Sequence, residues 1–259
     1  FRPAWKMVRS FGSDIIRKRD IKRALNRSYL WGKVKRGDWK CDRAYTFDRI
    51  MDLGESVGCK DAFYFIPDCS GEKSGDYCLD HLRMRALMKH IHERGHEIGY
   101  HGSYETYLDP AKTKAEVTLL KKIAAEEGIE QNVWGGRQHY LRWSAPQTWI
   151  NYADAGLVYD TTLSFADAAG FRCGTCHSYQ VFDIGRRMML PLIESPLIVM
   201  ECSLLSKDYM GYSYEKALEY MLLLKNQCRK YKGNFVLLWH NSSFENEMDW
   251  ELYKAVLLG

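Results

Sequence analysis

An α/β fold built on parallel strands is what this 259-residue sequence predicts, and three observations predict it. Past residue 45, amphipathic helices alternate with short strands. A glycine stands where almost every helix should stop. The strands are apolar without interruption, as suits strands covered by helices on both faces.

The elements follow in order. "TFDRIMDLGESVG" leads to "AFYFIP", and "LDHLRMRALMKHIHERG" leads to "HEIGYH". "PAKTKAEVTLLKKIAAEEG" leads to "NVWGGR", and "PQTWINYADAG" leads to "LVYDTT". "PLIVMEC" reads as a strand after a Pro-containing loop, and "SYEKALEYMLLLKNQCRKYKG" leads to the last strand, "NFVLLWH". Gly58, Gly95, Gly128, Gly156 and Gly233 are expected in the left-handed conformation that closes a helix, since glycine has no Cβ to clash there. Thr46 or Asp48 is expected to cap the first of these helices.

Composition narrows the function classes. The longest apolar stretch, "MMLPLIESPLIVM", is broken by Pro191, Glu194 and Pro196 and falls short of the roughly 18 residues a spanning helix needs. Neither GxGxxG after a first strand nor GxxxxGK[ST] occurs, so nucleotide-binding versions of the fold lose weight. Eight scattered cysteines in a chain of this size favour a reducing cytoplasm. Residues 1–43 carry 14 Lys and Arg against 4 Asp, a net +10 that leaves −6 for the remainder. Residues 1–45 are therefore read as a basic helical arm, with Ile15, Ile16, Ile21 and Leu25 lying on the domain formed by 46–259. A solvated helix face explains this charge better than nucleic-acid binding, and contact with an anionic membrane surface is the alternative.

The strand ends carry the chemistry. Asp68, His101, Arg137, Asp160, Glu201 and His240 stand in turn at the C-terminal ends, the edge where active sites of parallel α/β folds are built. His101 and Glu105 are of the right types for a divalent metal such as Zn²⁺, with a third ligand, an Asp, coming from elsewhere. His240 suits a general acid near neutral pH, with Asp160 orienting its other nitrogen.

These residues bring a resemblance. "GHEIGYHGSYE", "GGRQHYLRW" and "FVLLWHN" resemble, in order and placement, the motifs of the NodB-like polysaccharide deacetylases over about residues 46–244, and most closely a divergent subgroup. The resemblance implies a distorted (β/α) barrel and metal-dependent removal of acetyl groups from N- or O-acetylated saccharides. It implies that His101 ligates the metal, that Arg137 steadies a catalytic carboxylate, that the Tyr140 N–H donates to the oxyanion and that His240 protonates the leaving group. A metal-bound water, an Asp base and fixed donors would then cleave the acyl bond.

Three departures stand out. The family's second metal histidine is Glu105 here, and the proline of its Arg-x-Pro-Tyr motif is His139, which is expected to touch substrate. The family's opening Asp pair has no counterpart, because "TFDR" belongs to a helix start. The resemblance therefore implies that the first strand and its Asp pair lie ahead of Phe1. Trp143 and Trp239 are expected to stack on sugar, as aromatic faces do.

Other readings compete. A catalytically inactive carbohydrate-binding protein on this fold keeps the aromatic residues without a full metal site. A metal-free glycosidase would pair Glu194 or Glu201 with Asp160, but leaves Arg137 and His240 unexplained. "CGTCH" matches a haem-attachment pattern, which an α/β context disfavours.

Overall fold

The computed structural model describes residues 8, 11–13, 15, 16, 19, 21–70, 73, 75 and 77–259. Much of the expected basic arm, namely residues 1–7, 9, 10, 14, 17, 18 and 20, lies outside the described residues. The arm's described helix, α1 (Ile21–Lys35), buries Ala24 and Val34, whereas Ile21 and Leu25 are 63% and 60% exposed. The apolar face expected to lie on the domain is thus turned outward at those two positions.

The repeating unit appears as α2 (Phe47–Ser56), β1 (Ala62–Phe65), α3 (Leu82–Glu93), β2 (Glu97–Gly102), α4 (Pro110–Glu126), β3 (Gly135–Gln138), α5 (Gln147–Asp154) and β4 (Tyr159–Asp160). Then follow β5 (Tyr179–Asp183), β6 (Met188–Glu194), β7 (Leu197–Met200), α6 (Glu201–Leu205), α7 (Tyr214–Lys230), β8 (Val236–Leu238) and α8 (Glu247–Leu258). Strands β1-β2-β3-β4-β6-β5 form one six-stranded sheet, and β7-β8 a second sheet of two. All pairings are parallel except β5 with β6. Among the described residues no strand joins β1 to β8, and the described strands make two sheets, mostly parallel, in a mixed α/β fold.

Helix ends follow local chemistry. Gly58, Gly95, Gly128 and Gly156 adopt positive φ, as expected. Gly233 does not. Lys232 takes the left-handed turn at φ 55°, and Gly233 is small because a Cβ there would run into Cys176. Thr46 occupies the N-cap of α2, but its hydroxyl donates to the Asn241 carbonyl at 3.1 Å instead of accepting from the helix. Asp48 lies within the first turn, bonded to His90 at 2.7 Å and Lys40 at 3.2 Å.

Two elements depart from the sequence reading. The hairpin β5–β6 replaces the expected Pro-containing loop, its turn fixed by the Asp183 carboxylate, which accepts from Gly185 N at 2.9 Å and Arg186 N at 3.1 Å. Leu190, Leu192 and Glu194 of β6 alternate inward while Pro191 faces out. The strand "PLIVMEC" stops at Met200, and Glu201 opens a helix.

Glycines within the strands have a packing reason. The Tyr64 ring covers Gly99 and the Tyr159 ring covers Gly135, each where a Cβ would stand. The two phenols meet at 2.9 Å, and Tyr159 donates to Glu97. Gly135→Ala should therefore lower stability by about 1–3 kcal/mol through overpacking. Gly32→Ala, in mid-helix with nothing within 4 Å, should raise it by roughly 0.5–1 kcal/mol. Denaturant unfolding of the two variants checks both signs.

Candidate active site at the strand ends

Register places the site. Tyr100 pairs with Gly136, Gly136 with Asp160, and Asp160 with Glu194, so β4 and β6 end at one level and β2 and β3 run two residues beyond it. His101 stands opposite Arg137 one step further on. In the second sheet Met200 pairs with Leu238, which brings the following Glu201 and His240 together.

His101 is held in one tautomer. Its Nδ1 lies 2.9 Å from the Arg137 carbonyl, which can only accept, so Nδ1 carries the proton and Nε2 a lone pair. Nε2 faces His139 Nδ1 at 3.1 Å. Burial, then the charges of His139, Arg137 and His240, push the His101 pKa well below its ordinary value. Burial and the charge of His240 lower that of His139 as well. His101, His139 and His240 therefore sense one another across a single site.

Arg137 is 7% exposed. Its Nε donates to the Thr161 carbonyl at 3.0 Å and its Nη2 to the Thr161 hydroxyl at 3.1 Å, while the guanidinium lies 4.9 Å from the Tyr64 ring centre. Among the described residues it forms no ion pair with a carboxylate. The expected acid for Arg137 to steady is not supplied by Asp160.

Asp160 has other partners. Its Oδ1 accepts from Thr162 N at 2.9 Å and from the Thr162 hydroxyl, and Oδ2 is buried without a partner outside the neighbouring Glu194. Both carboxyls are fully buried. Glu194 accepts from Trp149 Nε1 at 2.9 Å. Burial raises the Asp160 pKa to about 6, and burial with the adjacent Asp160 raises that of Glu194 well above its usual range. The two therefore share protons as a buried acid pair, and Asp160 is not placed to orient His240.

Glu201 takes that role. Its Oε1 accepts from His240 Nδ1 at 2.7 Å, from His240 N at 3.1 Å and from the Ser243 hydroxyl at 2.7 Å. The carboxyl is 1% exposed and the imidazole 46%. Burial by itself lowers the pKa of His240, but the hydrogen bond and charge of Glu201 more than offset it and leave the pKa raised. The same contacts, against burial, hold Glu201 below the ordinary carboxylate value. A half-exposed imidazole leashed by Nδ1 to a buried carboxylate presents Nε2 outward for proton transfer.

Among the described residues the one group of three metal-type donors is Glu201, Cys202 and His240, whose ligand atoms lie within 4.8 Å of one another. Glu201 Oε1 is engaged by His240 and Ser243, whereas Oε2 is buried without a hydrogen-bond partner. With no ion bound, burial and the charge of Glu201 push the Cys202 thiol up to about 12; a cation would itself draw the proton from that thiol.

Glu105 is turned away. Ser103 and Thr106 around it are buried, Ser103 by Glu116 and Thr106 by Gln138 at 2.9 Å. Glu105 between them is 65% exposed and meets Arg142 at 3.3 Å, so the structure does not bring it to His101. Tyr140 adopts φ 59°, ψ 18° and Leu141 φ 51°, two successive left-handed residues. The Tyr140 ring is 63% exposed and lies 4.4 Å from the His139 ring. Trp143 packs edge-on against Trp149 at 4.7 Å. Trp239, partly buried, stacks on Phe244 at 5.4 Å and meets Tyr253 at 5.2 Å.

No protein-family model matches this chain, and no curated protein matches it. Among solved structures, one from Mycobacterium smegmatis, assigned as a polysaccharide deacetylase, is similar in fold at a TM-score of 0.61. The two chains are 16% identical, and the match covers 98% of this chain and 79% of the other. The chain thus has the fold of that structure, as the sequence motifs lead one to expect.

Two expectations follow from the charges. Glu201→Gln should lower the His240 pKa, read from its imidazole resonances by NMR across pH 5–9; an unchanged titration would detach Glu201 from that role. For the acid pair the native state binds protons that the unfolded chain releases near pH 4, so its contribution is complete below that and is lost as pH rises through about 6. Glu194→Gln, a neutral near-isostere, should therefore shrink the fall in melting temperature between pH 5 and pH 8.

Proposed function

We propose that the protein is a metal-dependent deacetylase acting on N- or O-acetylated saccharides. The observation that carries this reading is the His240–Glu201 dyad, which lies within electrostatic reach of His101 and Arg137. An imidazole held protonated by a buried carboxylate is suited to donate a proton to a departing amine or alcohol. The hydrogen bond and charge of Glu201 raise the His240 pKa and so favour its protonated form.

Each remaining residue has a matching task. His101, neutral and with its Nε2 lone pair free of its own proton, would hold a divalent ion, zinc by the preference of imidazole donors. That ion, when bound, supplies Lewis-acid polarisation of the acyl carbonyl and of a water. Arg137, a buried cation without a carboxylate partner among the described residues, would receive and orient the anionic base. The Tyr140 backbone N–H, in a loop set by two left-handed residues, would donate to the oxyanion. The exposed Tyr140 ring and Trp143 would meet the sugar.

A second reading keeps one observation on its side. Among the described residues no aspartate hydrogen-bonds to His101 or Arg137, as a carbohydrate-binding protein without catalysis would permit. Acetate release separates the two. The full-length protein should liberate acetate from N-acetylglucosamine oligomers or from an O-acetylated glycan, lose that activity to a chelator and regain it with Zn²⁺. His240→Ala should cut kcat by about 10²–10⁴ while bound metal, measured by atomic absorption, stays the same. Retained binding of the oligomers with no acetate released under any metal would favour the silent binder.

A further inference from the structure

We infer that His139, and not Glu105, is the second ligand of the metal: His101 Nε2 and His139 Nδ1 form a two-imidazole site for a divalent cation. This deepens the deacetylase reading and rests on it.

The geometry is that of two donors aimed at one point. The Arg137 carbonyl fixes the His101 proton on Nδ1 at 2.9 Å, leaving a lone pair on Nε2. That lone pair faces His139 Nδ1 at 3.1 Å, with the rings at 78° to each other. Something positive must lie between the two nitrogens, either a proton on His139 or a cation. Two imidazole nitrogens at 2.0–2.1 Å from a tetrahedral ion would stand roughly 3.3 Å apart, so the ion needs only a small spreading of the pair.

The surrounding chain supports this choice. His139 is followed by the left-handed Tyr140 and Leu141 and is flanked by the Tyr140 ring at 4.4 Å, which fixes its backbone and one face. The Lys73 backbone provides its other hydrogen-bond partner. Glu105, by contrast, points to Arg142 from a surface position. The positive neighbours Arg137 and His240 oppose a bare dication, so the site would need a carboxylate to balance the charge.

Co²⁺ binding to the full-length protein tests the assignment by calorimetry and visible absorption, independently of turnover. His101→Ala and His139→Ala should each weaken Co²⁺ binding at least tenfold, and Glu105→Gln should change it less than twofold. Because an alanine at 139 could loosen the loop, crystals of the unaltered protein soaked in ZnCl₂ give a second measurement. The anomalous peak should lie within bonding distance of His101 Nε2 and His139 Nδ1. A peak on His101 and Glu105, or loss of Co²⁺ with Glu105→Gln but not His139→Ala, overturns the inference and leaves the deacetylase reading standing. Absence of any Co²⁺ or Zn²⁺ binding overturns both.

Discussion

Parallel pairing in register decides where every ionisable side chain of this site ends up. With Gly136 opposite Asp160 and Asp160 opposite Glu194, polar residues that close successive strands arrive at one level. A slip of one residue would turn each strand-end side chain to the other face of its sheet. The cost is that carboxyls end up out of water. Burial raises the pKa values of Asp160 and Glu194, which eases the penalty by favouring their neutral forms, and hydrogen bonds wrap the rest.

The same edge separates two kinds of carboxylate. Asp160 faces another acid and its pKa is raised to about 6; Glu201 faces an imidazole, a hydroxyl and a backbone N–H and its pKa is lowered. Similar burial with opposite partners shifts the two acids in opposite directions. Only the second can fix the orientation of a proton donor. The imidazoles show the same logic, since the carboxylate partner raises the His240 pKa whereas burial lowers that of His101.

Much of this was legible in the sequence. The helix–strand repeat, the glycines that close four helices and the placement of His101, Arg137 and His240 at strand ends all follow from local chemistry. What was not legible depends on which elements become neighbours. The hairpin of β5 and β6 was masked by Pro191, although Leu190, Leu192 and Glu194 already alternate there. The partner of His240 was taken to be Asp160 because both end strands, but β4 and β8 lie in different sheets and Glu201 is the nearer acid. Glu105 was read with His101 from spacing alone, and the buried anchors Ser103 and Thr106, which turn it outward, act through Glu116 and Gln138 from other elements. The packing of Trp239 on Phe244 and Tyr253, from the chain that follows, was likewise not legible.

The peptide that joins Arg137 to Gln138 performs two tasks at once. Its carbonyl dictates which imidazole nitrogen of His101 is bare, while the side chain of Arg137 is clamped to Thr161. A shift of β3 along β2 would thus disturb tautomer and guanidinium together. Acid–base identity on one strand and charge placement on the next are coupled mechanically through a single backbone unit.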